Sequence, residues 1–358
     1  NFAGRDITTS TDSTAIGHNA ANSLTTGGAL TAIGSAAAQY TTTAGGVAIG
    51  ASALQGNVTG ISNTAVGTAS GTANGSGTDN AYFGQGVAQF VGTGVLTLGA
   101  ITAGSGYTDG TYTNQALFPS RNYLGNAPTF TIVVAGGVVT TVTITTAGTG
   151  IIPGDVLILV GTPLGAGTGF NVVVSTATTV LGNTAIGRGA LQLNRNGTGN
   201  TVVGYQAQRN IATGSRNVAL GYQALLNNSA DEITALGYQS LLSNTGTLNT
   251  AVGYQALGVN TSGISNTAIG HGALISNVTG SRNTAVGDDA AAANTGDNVT
   301  AVGYRALASN TSGNNNLAIG AQALEDNTTG AENIGIGGNA LGDNTTGQYN
   351  IAIGSQAL

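Results

Sequence analysis

Side chains able to do chemistry are sparse in this chain, and their spacing limits what that chemistry could be. The two histidines are His18 and His271, with no cysteine beside them. That is a thin basis for a metal centre, and no metal ligand is assigned from the sequence. Acidic pairs fall at Asp231/Glu232, Asp288/Asp289 and Glu325/Asp326. Glycoside hydrolysis needs two carboxylates about 5–10 Å apart across the scissile bond. Adjacent strand residues point to opposite faces, and no acidic pair stands one repeat from another. The pairs therefore read as solvated corner charges, and no catalytic residue is assigned. Asp288/Asp289 also lacks the oxygen-ligand spacing of a calcium loop. Tyr205, Tyr222, Tyr238, Tyr254 and Tyr304, mostly followed by Gln, could stack on sugar rings; stacking on one another and covering a subunit seam is the preferred reading. The Gly-rich run 165–169 imitates a dinucleotide fingerprint but lacks a following helix and a downstream acid.

Composition narrows the classes further. Gly accounts for 60 of 358 residues, and charged residues for 6% against about 25% in an average globular protein. Lys, Cys, Met and Trp are absent. No Lys means no Walker A loop or Schiff base; no Cys means no thiol nucleophile, zinc finger or disulfide scaffold. A net charge of -6 with scattered arginines excludes a nucleic-acid partner as an expectation. No apolar run approaches the roughly 18 residues of a membrane span. Asn1 is not an initiator Met and Leu358 falls within a repeat, so the chain is expected to be part of something longer.

The elements that must carry these residues are set by an internal repeat. Thr-Ala-Ile/Val-Gly recurs with its Gly at 17, 34, 50, 67 and 84, and again at 187, 204, 221, 237, 253, 270, 287, 303, 320, 337 and 354. Within each block the spacing is 16 or 17 residues. With that Gly as position zero, Asn recurs at -4 (Asn249, Asn266, Asn283), Tyr at +1, Leu at +4 (Leu225, Leu241, Leu257), Asn at +7 and a second Gly near +10. Two Gly per unit exclude a helix. Each unit reads as two short strand-like segments around a Gly corner. Stacked units would bury Ile/Val at -1 and Leu at +4, which one unit alone cannot. Sixteen such turns would make a rod of roughly 75–80 Å. Gly at zero and near +10 would allow positive φ at the corners, and stacked Asn would bond from turn to turn. Ala at -2 should face opposite to Ile/Val and leave a flat small-residue surface for another chain, so Ala251→Arg would disperse an assembly.

The domain plan is then a lead-in (1–13), a first repeat block (14–90), an inserted β-domain (91–181) and a second repeat block (182–358). All four prolines lie in the insert. There Thr129–Val134 and Val138–Ile144 flank Ala135-Gly136-Gly137, a hairpin signal. Further strands are expected over 155–160 and 170–175, with a turn-rich stretch over 104–112.

Units such as Asn249-Thr250-Ala251-Val252-Gly253-Tyr254-Gln255-Ala256-Leu257 resemble the head repeats of YadA-type trimeric adhesins. They resemble still more the NTAxGxxAL arrays of phage tail-fibre proteins, which are often followed by an S74-type chaperone domain. The insert, with GSGYTDGTY at 104–112, is similar to modules of phage structural proteins. This resemblance implies a left-handed parallel β-roll, a homotrimer, and a place on a virion or outside the cell. The repeat is longer than in the adhesins, and no coiled-coil stalk or membrane anchor accompanies it.

The expectation is an all-β parallel β-solenoid, homotrimeric, serving as a non-enzymatic tail-fibre shaft in host attachment, with no cofactor and no membrane insertion. Its partners would be itself, other virion or tail proteins, and a host surface glycan. Insert-loop residues Tyr107, Asp109, Tyr112 and Tyr123 are the sites for the glycan, since loops on a rigid scaffold carry recognition. A cell-surface adhesin or extracellular filament ranks second and a polysaccharide depolymerase third. An ice-binding rod ranks last, because Thr lies partly in the corners.

Overall fold

The computed structural model describes residues 3–4, 12–26, 28–42, 45–72, 74, 77–88, 95–119, 127–146, 156–159, 164, 168–177, 182–194, 197–210 and 213–358. Among these the chain is all-β and contains no helix. It divides into two compact units, residues 1–184 with 192–198 and residues 185–191 with 199–358.

The repeat is a parallel β-solenoid. Each copy of Thr-Ala-Ile/Val forms a strand of three or four residues that pairs, in parallel and in register, with the same tripeptide one turn on. Thr250, Ala251 and Val252 face Thr267, Ala268 and Ile269, which face Thr284, Ala285 and Val286. Five such strands, Thr14–Ile16 to Ala81–Phe83, stack in the first block, and eleven, Thr184–Ile186 to Ile351–Ile353, in the second.

Gly ends each strand for a steric reason. At position zero φ lies between +124° and +144°, a region only Gly occupies at little cost. A Cβ on Gly253 would collide with the carbonyl of Gly270 on the next turn. The second Gly differs from expectation. Gly263 does not have a left-handed backbone; a Cβ there would strike the Gly280 carbonyl and the Asn260 side chain. Close approach of turns, rather than positive φ, requires it.

Among the described residues, the second half of each turn is not a strand, apart from the short pair Asn227–Asn228 with Ser243–Asn244. Left-handed residues at +2 and +4, such as Gln255 (φ 52) and Leu257 (φ 51), break extended geometry. The backbone is satisfied between turns instead: the Gln255 amide donates to the Tyr238 carbonyl at 2.9 Å and the Leu257 amide to the Ala273 carbonyl at 3.0 Å. Leu is not a residue that tolerates this region freely, so burial of its side chain holds it there.

The face assignment is the reverse of the expected one. Ala at -2, for example Ala251, Ala268 and Ala285, is fully buried, together with Ala at +3 and Leu225, Leu241 and Leu257 at +4. Ile/Val at -1 points outward, with Ile186 42%, Ile269 40% and Ile319 38% exposed. Alternation dictates only that -2 and -1 oppose; the width of the interior selects Ala. At Gly335, which replaces Ala, an added Cβ would already lie 3.2 Å from Leu324 Cγ and 3.0 Å from the Ala340 carbonyl oxygen. Nothing larger fits beside a Leu. One turn pair confirms the rule by exception: Tyr82 takes the -2 position and is fully buried, where Gly71 stands in place of Leu at +4 and would meet the Tyr82 ring at 2.8 Å if it had a Cβ.

Buried asparagines complete the interior. Within one repeat, the amides of Asn249 and Asn260 both donate to the Gly263 carbonyl, at 2.7 and 3.0 Å. Asn249 Oδ1 accepts the Asn266 backbone amide of the next turn at 2.9 Å. Asn266 and Asn283 repeat the pattern. At +7, Asn277 donates to Asn260 and Asn260 to Asn244, a ladder running between turns. Each buried amide thus spans a corner and a turn interface at once.

The repeat contacts continue across the gap in the repeat pattern. Asn183 donates its backbone amide to Asn80 Oδ1 at 3.0 Å, and Ala81 donates to the Asn183 carbonyl at 2.8 Å, although 103 residues separate Asn80 from Asn183. The segment between them contains an antiparallel sheet in the order Val95–Ser105, Thr168–Ala177, Val156–Leu159, Gly110–Pro119, Thr129–Ala135, Val138–Thr146. Its core includes Leu117, Phe130, Ile132, Leu157 and Val172. The hairpin forms with Ala135 opposite Val138 across Gly136 (φ 64) and Gly137 (φ 77), a two-residue turn of the type that needs two left-handed residues. The stretch 104–112 is less turn-rich than expected: it bends only between Ser105 and Gly110, where two long strands meet it.

Candidate functional site

The outward surface of the second block is built from three ladders. The first is the aromatic series at +1. Tyr205, Tyr222, Tyr238 and Tyr254 stack with ring centroids 5.0–5.2 Å apart and planes within 15°. His271 continues the stack on Tyr254 at 5.2 Å. The spacing is that of the strands, so the rings are held by the repeat rather than by a pocket. All are substantially exposed, Tyr205 at 38% and Tyr254 at 46%. Arg188 lies 6.0 Å over the Tyr205 ring, at the outer limit of a cation–π contact. Tyr304 is exposed as well and follows Asp288 rather than a ring in the +1 series.

Beside it, at +2, Gln223 donates to Gln206, Gln239 to Gln223 and Gln255 to Gln239, at 3.0, 2.9 and 3.2 Å. The third ladder is the apolar -1 stripe, on the outward face of the strands, with Thr at -3 on the same face and partly exposed.

The run of Tyr-Gln turns ends after Tyr254-Gln255. His271 and Gly272 replace Tyr-Gln on one turn, and Asp288 and Asp289 replace it on the next. Stacking brings His271 Nδ1 to 3.0 Å from Asp288 Oδ1 and 3.8 Å from an oxygen of Asp289. A Cβ on Gly272 would run into the Asp289 carboxylate, so the missing side chain makes room for it. This cluster was missed in the sequence because His and Asp were read as separate features; both occupy +1, one repeat apart, and aligning the turns would have joined them. His18, the other histidine, is exposed at +1 in the first block.

The remaining acidic pairs are engaged locally. Arg216 pairs with Glu232 at 3.0 Å and Asp231 at 3.6 Å, and Asp231 accepts the Ser215 amide at 2.8 Å. Arg305 pairs with Glu325 at 2.9 Å. No two of these acids face each other across a cleft as a hydrolase requires.

The insert residues singled out for glycan contact have structural duties. Tyr107 is buried, and its hydroxyl oxygen accepts the Phe170 amide at 3.0 Å. Asp109 accepts the amides of Gly136 and Gly137 at 3.1 and 2.8 Å, clasping the hairpin turn. Those two amides, Gly137 foremost, hold its carboxyl below the usual carboxylate range. Tyr112 donates to the Thr108 carbonyl at 2.9 Å. Tyr123 lies outside the described residues.

No protein-family model matches the chain, and neither a curated protein nor a solved structure matches it. Functional inference therefore rests on the fold and these surfaces.

Proposed function

We propose that the chain is a structural fibre protein, a homotrimeric shaft of a phage tail fibre that carries host attachment rather than catalysis. The observation that carries this reading is the -1 stripe: a regular series of Ile, Val and Leu on the outward strand face, running through every turn of the second block. Soluble monomers rarely expose contiguous apolar surface of this extent, and a surface repeating every turn fits another copy with the same repeat. The stacked tyrosines flank the same corner and supply amphipathic area for a seam. That the copies number three, that the roll is left-handed, and that it belongs to a virion come from the resemblance to tail-fibre arrays.

On this reading the seam runs along the outward -1 residues, because Ala at -2 is buried. Val252→Asp and Ile269→Asp should convert the assembly to monomers in sedimentation while leaving the circular dichroism of the solenoid intact. Ala251→Arg should instead unfold its turns. A wild-type chain that stays monomeric at micromolar concentration would remove the trimer. The outward Thr-x-Ile/Val face is also the geometry an ice-binding surface would need, so measurable thermal hysteresis in the free chain would overturn the shaft reading. Location is tested by immunogold electron microscopy of the producing culture. Gold on fibres of tailed particles supports the virion; gold on cell envelopes or free filaments with unlabelled particles replaces it with an adhesin or filament.

A further inference from the structure

We propose that His271, Asp288 and Asp289 form a binding site for one divalent transition-metal ion of the zinc class, which staples two successive turns of the solenoid. Three observations carry it, and none depends on the fibre reading.

The first is geometric. One ligand atom from each residue, an imidazole nitrogen and two carboxylate oxygens, lies within 4.8 Å of the others. Neighbouring ligands around an ion with ~2.1 Å bonds stand roughly 3.0–3.4 Å apart; the two measured separations, 3.0 and 3.8 Å, need only small side-chain rotations to reach this. The second is preorganisation. Stacking on Tyr254, with planes 12° apart, fixes the His271 ring, and Nδ1 is the nitrogen facing the carboxylates. The third is the room made for the second carboxylate. His271 and Asp288 share the +1 position on successive turns, and Gly272 vacates the volume into which the Asp289 carboxylate turns.

The donor set selects the ion class. An imidazole with two carboxylates suits zinc and its first-row neighbours. Three protein ligands are too few for calcium, which takes six to eight oxygens. The cluster is solvent-exposed, with side-chain exposures of 60%, 54% and 45% for His271, Asp288 and Asp289. Water would fill the remaining positions, as in zinc sites with three protein ligands. Binding would close a loop from one turn to the next, where the Tyr and Gln ladders are interrupted.

The test uses the whole chain without an affinity tag, stripped with chelator and titrated with ZnCl2 by calorimetry, alongside thermal unfolding with ZnCl2 or CaCl2. One zinc should bind per chain, and the unfolding midpoint should rise with zinc concentration and stay unchanged with calcium. His271→Tyr restores the repeat residue and the ring stack, so it should fold normally, yet abolish both effects. Asp288→Asn with Asp289→Asn should do the same. Absence of stoichiometric zinc uptake overturns the site, as does uptake that survives His271→Tyr or disappears with His18→Asn. An equal response to calcium overturns the ion class.

Discussion

The solenoid and the inserted sheet are both β-structure, yet they are held together by opposite means. In the insert, strands of four to eleven residues pair antiparallel around large side chains such as Phe130, Ile132 and Leu117. Alternation along Thr129–Ala135 sends every second residue inward, and a Cβ added to Gly136 at the hairpin tip would meet open space. In the solenoid, strands of three or four residues surround an interior of Ala, Leu and Asn. There the backbone of one turn lies against the backbone of the next, and Gly is required inside the stack. The hairpin tip at Gly136 tolerates change and the core of that sheet does not; the solenoid is least tolerant at its corners. A stacked repeat multiplies this effect, because a corner faulty in one turn also spoils the interface with the next.

The same substitution in the two regions should expose the contrast most strongly. Gly253→Ala should cost at least about 3 kcal/mol, from backbone strain plus collision with the next turn. Gly136→Ala, with nothing within 4 Å of the added Cβ, should cost only about 1 kcal/mol. Denaturant unfolding of both variants measures the difference; equal losses would refute the comparison.

Next in size is the complementary swap in the first block. Tyr82→Ala empties a site filled by a buried ring and should cost about 3–5 kcal/mol. Adding Gly71→Leu restores the usual Ala–Leu pair and should recover most of it, whereas Gly71→Leu alone should be damaging. A double-mutant cycle showing additive losses would mean that the two residues do not share one volume.

Asn266→Ala should cost about 1–3 kcal/mol, since it leaves the buried Asn283 amide without its acceptor, while the Gly280 carbonyl keeps Asn277 as a donor. The smallest effect belongs to the insert. The carboxyl of Asp109 titrates lower in the folded chain than in the unfolded one, so its contribution is present above about pH 4 and is lost as pH falls through the lower folded value. Asp109→Asn should flatten that acid limb of the insert's unfolding profile without altering the solenoid signal.

Much of this was legible in the sequence. The period, the number of turns in each block, the Gly at position zero and the buried Asn at -4 and +7 all follow from spacing, because a stacked turn repeats every contact and so repeats its residue. The hairpin 129–146 was legible from its alternation and its Gly pair. Long strands at 95–105 and 110–119 were not, since Gly and Asn interrupt their apolar pattern. The hydrogen bonds of Tyr107, Asp109 and Tyr112 were illegible for a similar reason: an exposed-looking Tyr or Asp in a Gly-rich stretch carries no mark of the amide or carbonyl it will bond.

What the sequence by itself determined is therefore the parallel stack and its period. The tertiary structure alone decided which side of each strand is inside, and which distant residues meet. Alternation makes Ala251 and Val252 face apart but is silent on direction; only the narrow interior, already occupied by Leu and Asn, admits Ala and turns Val outward. The meeting of His271 with Asp288 and Asp289 was decided in the same way, by turns lying one strand spacing apart, a distance that no separation along the chain expresses.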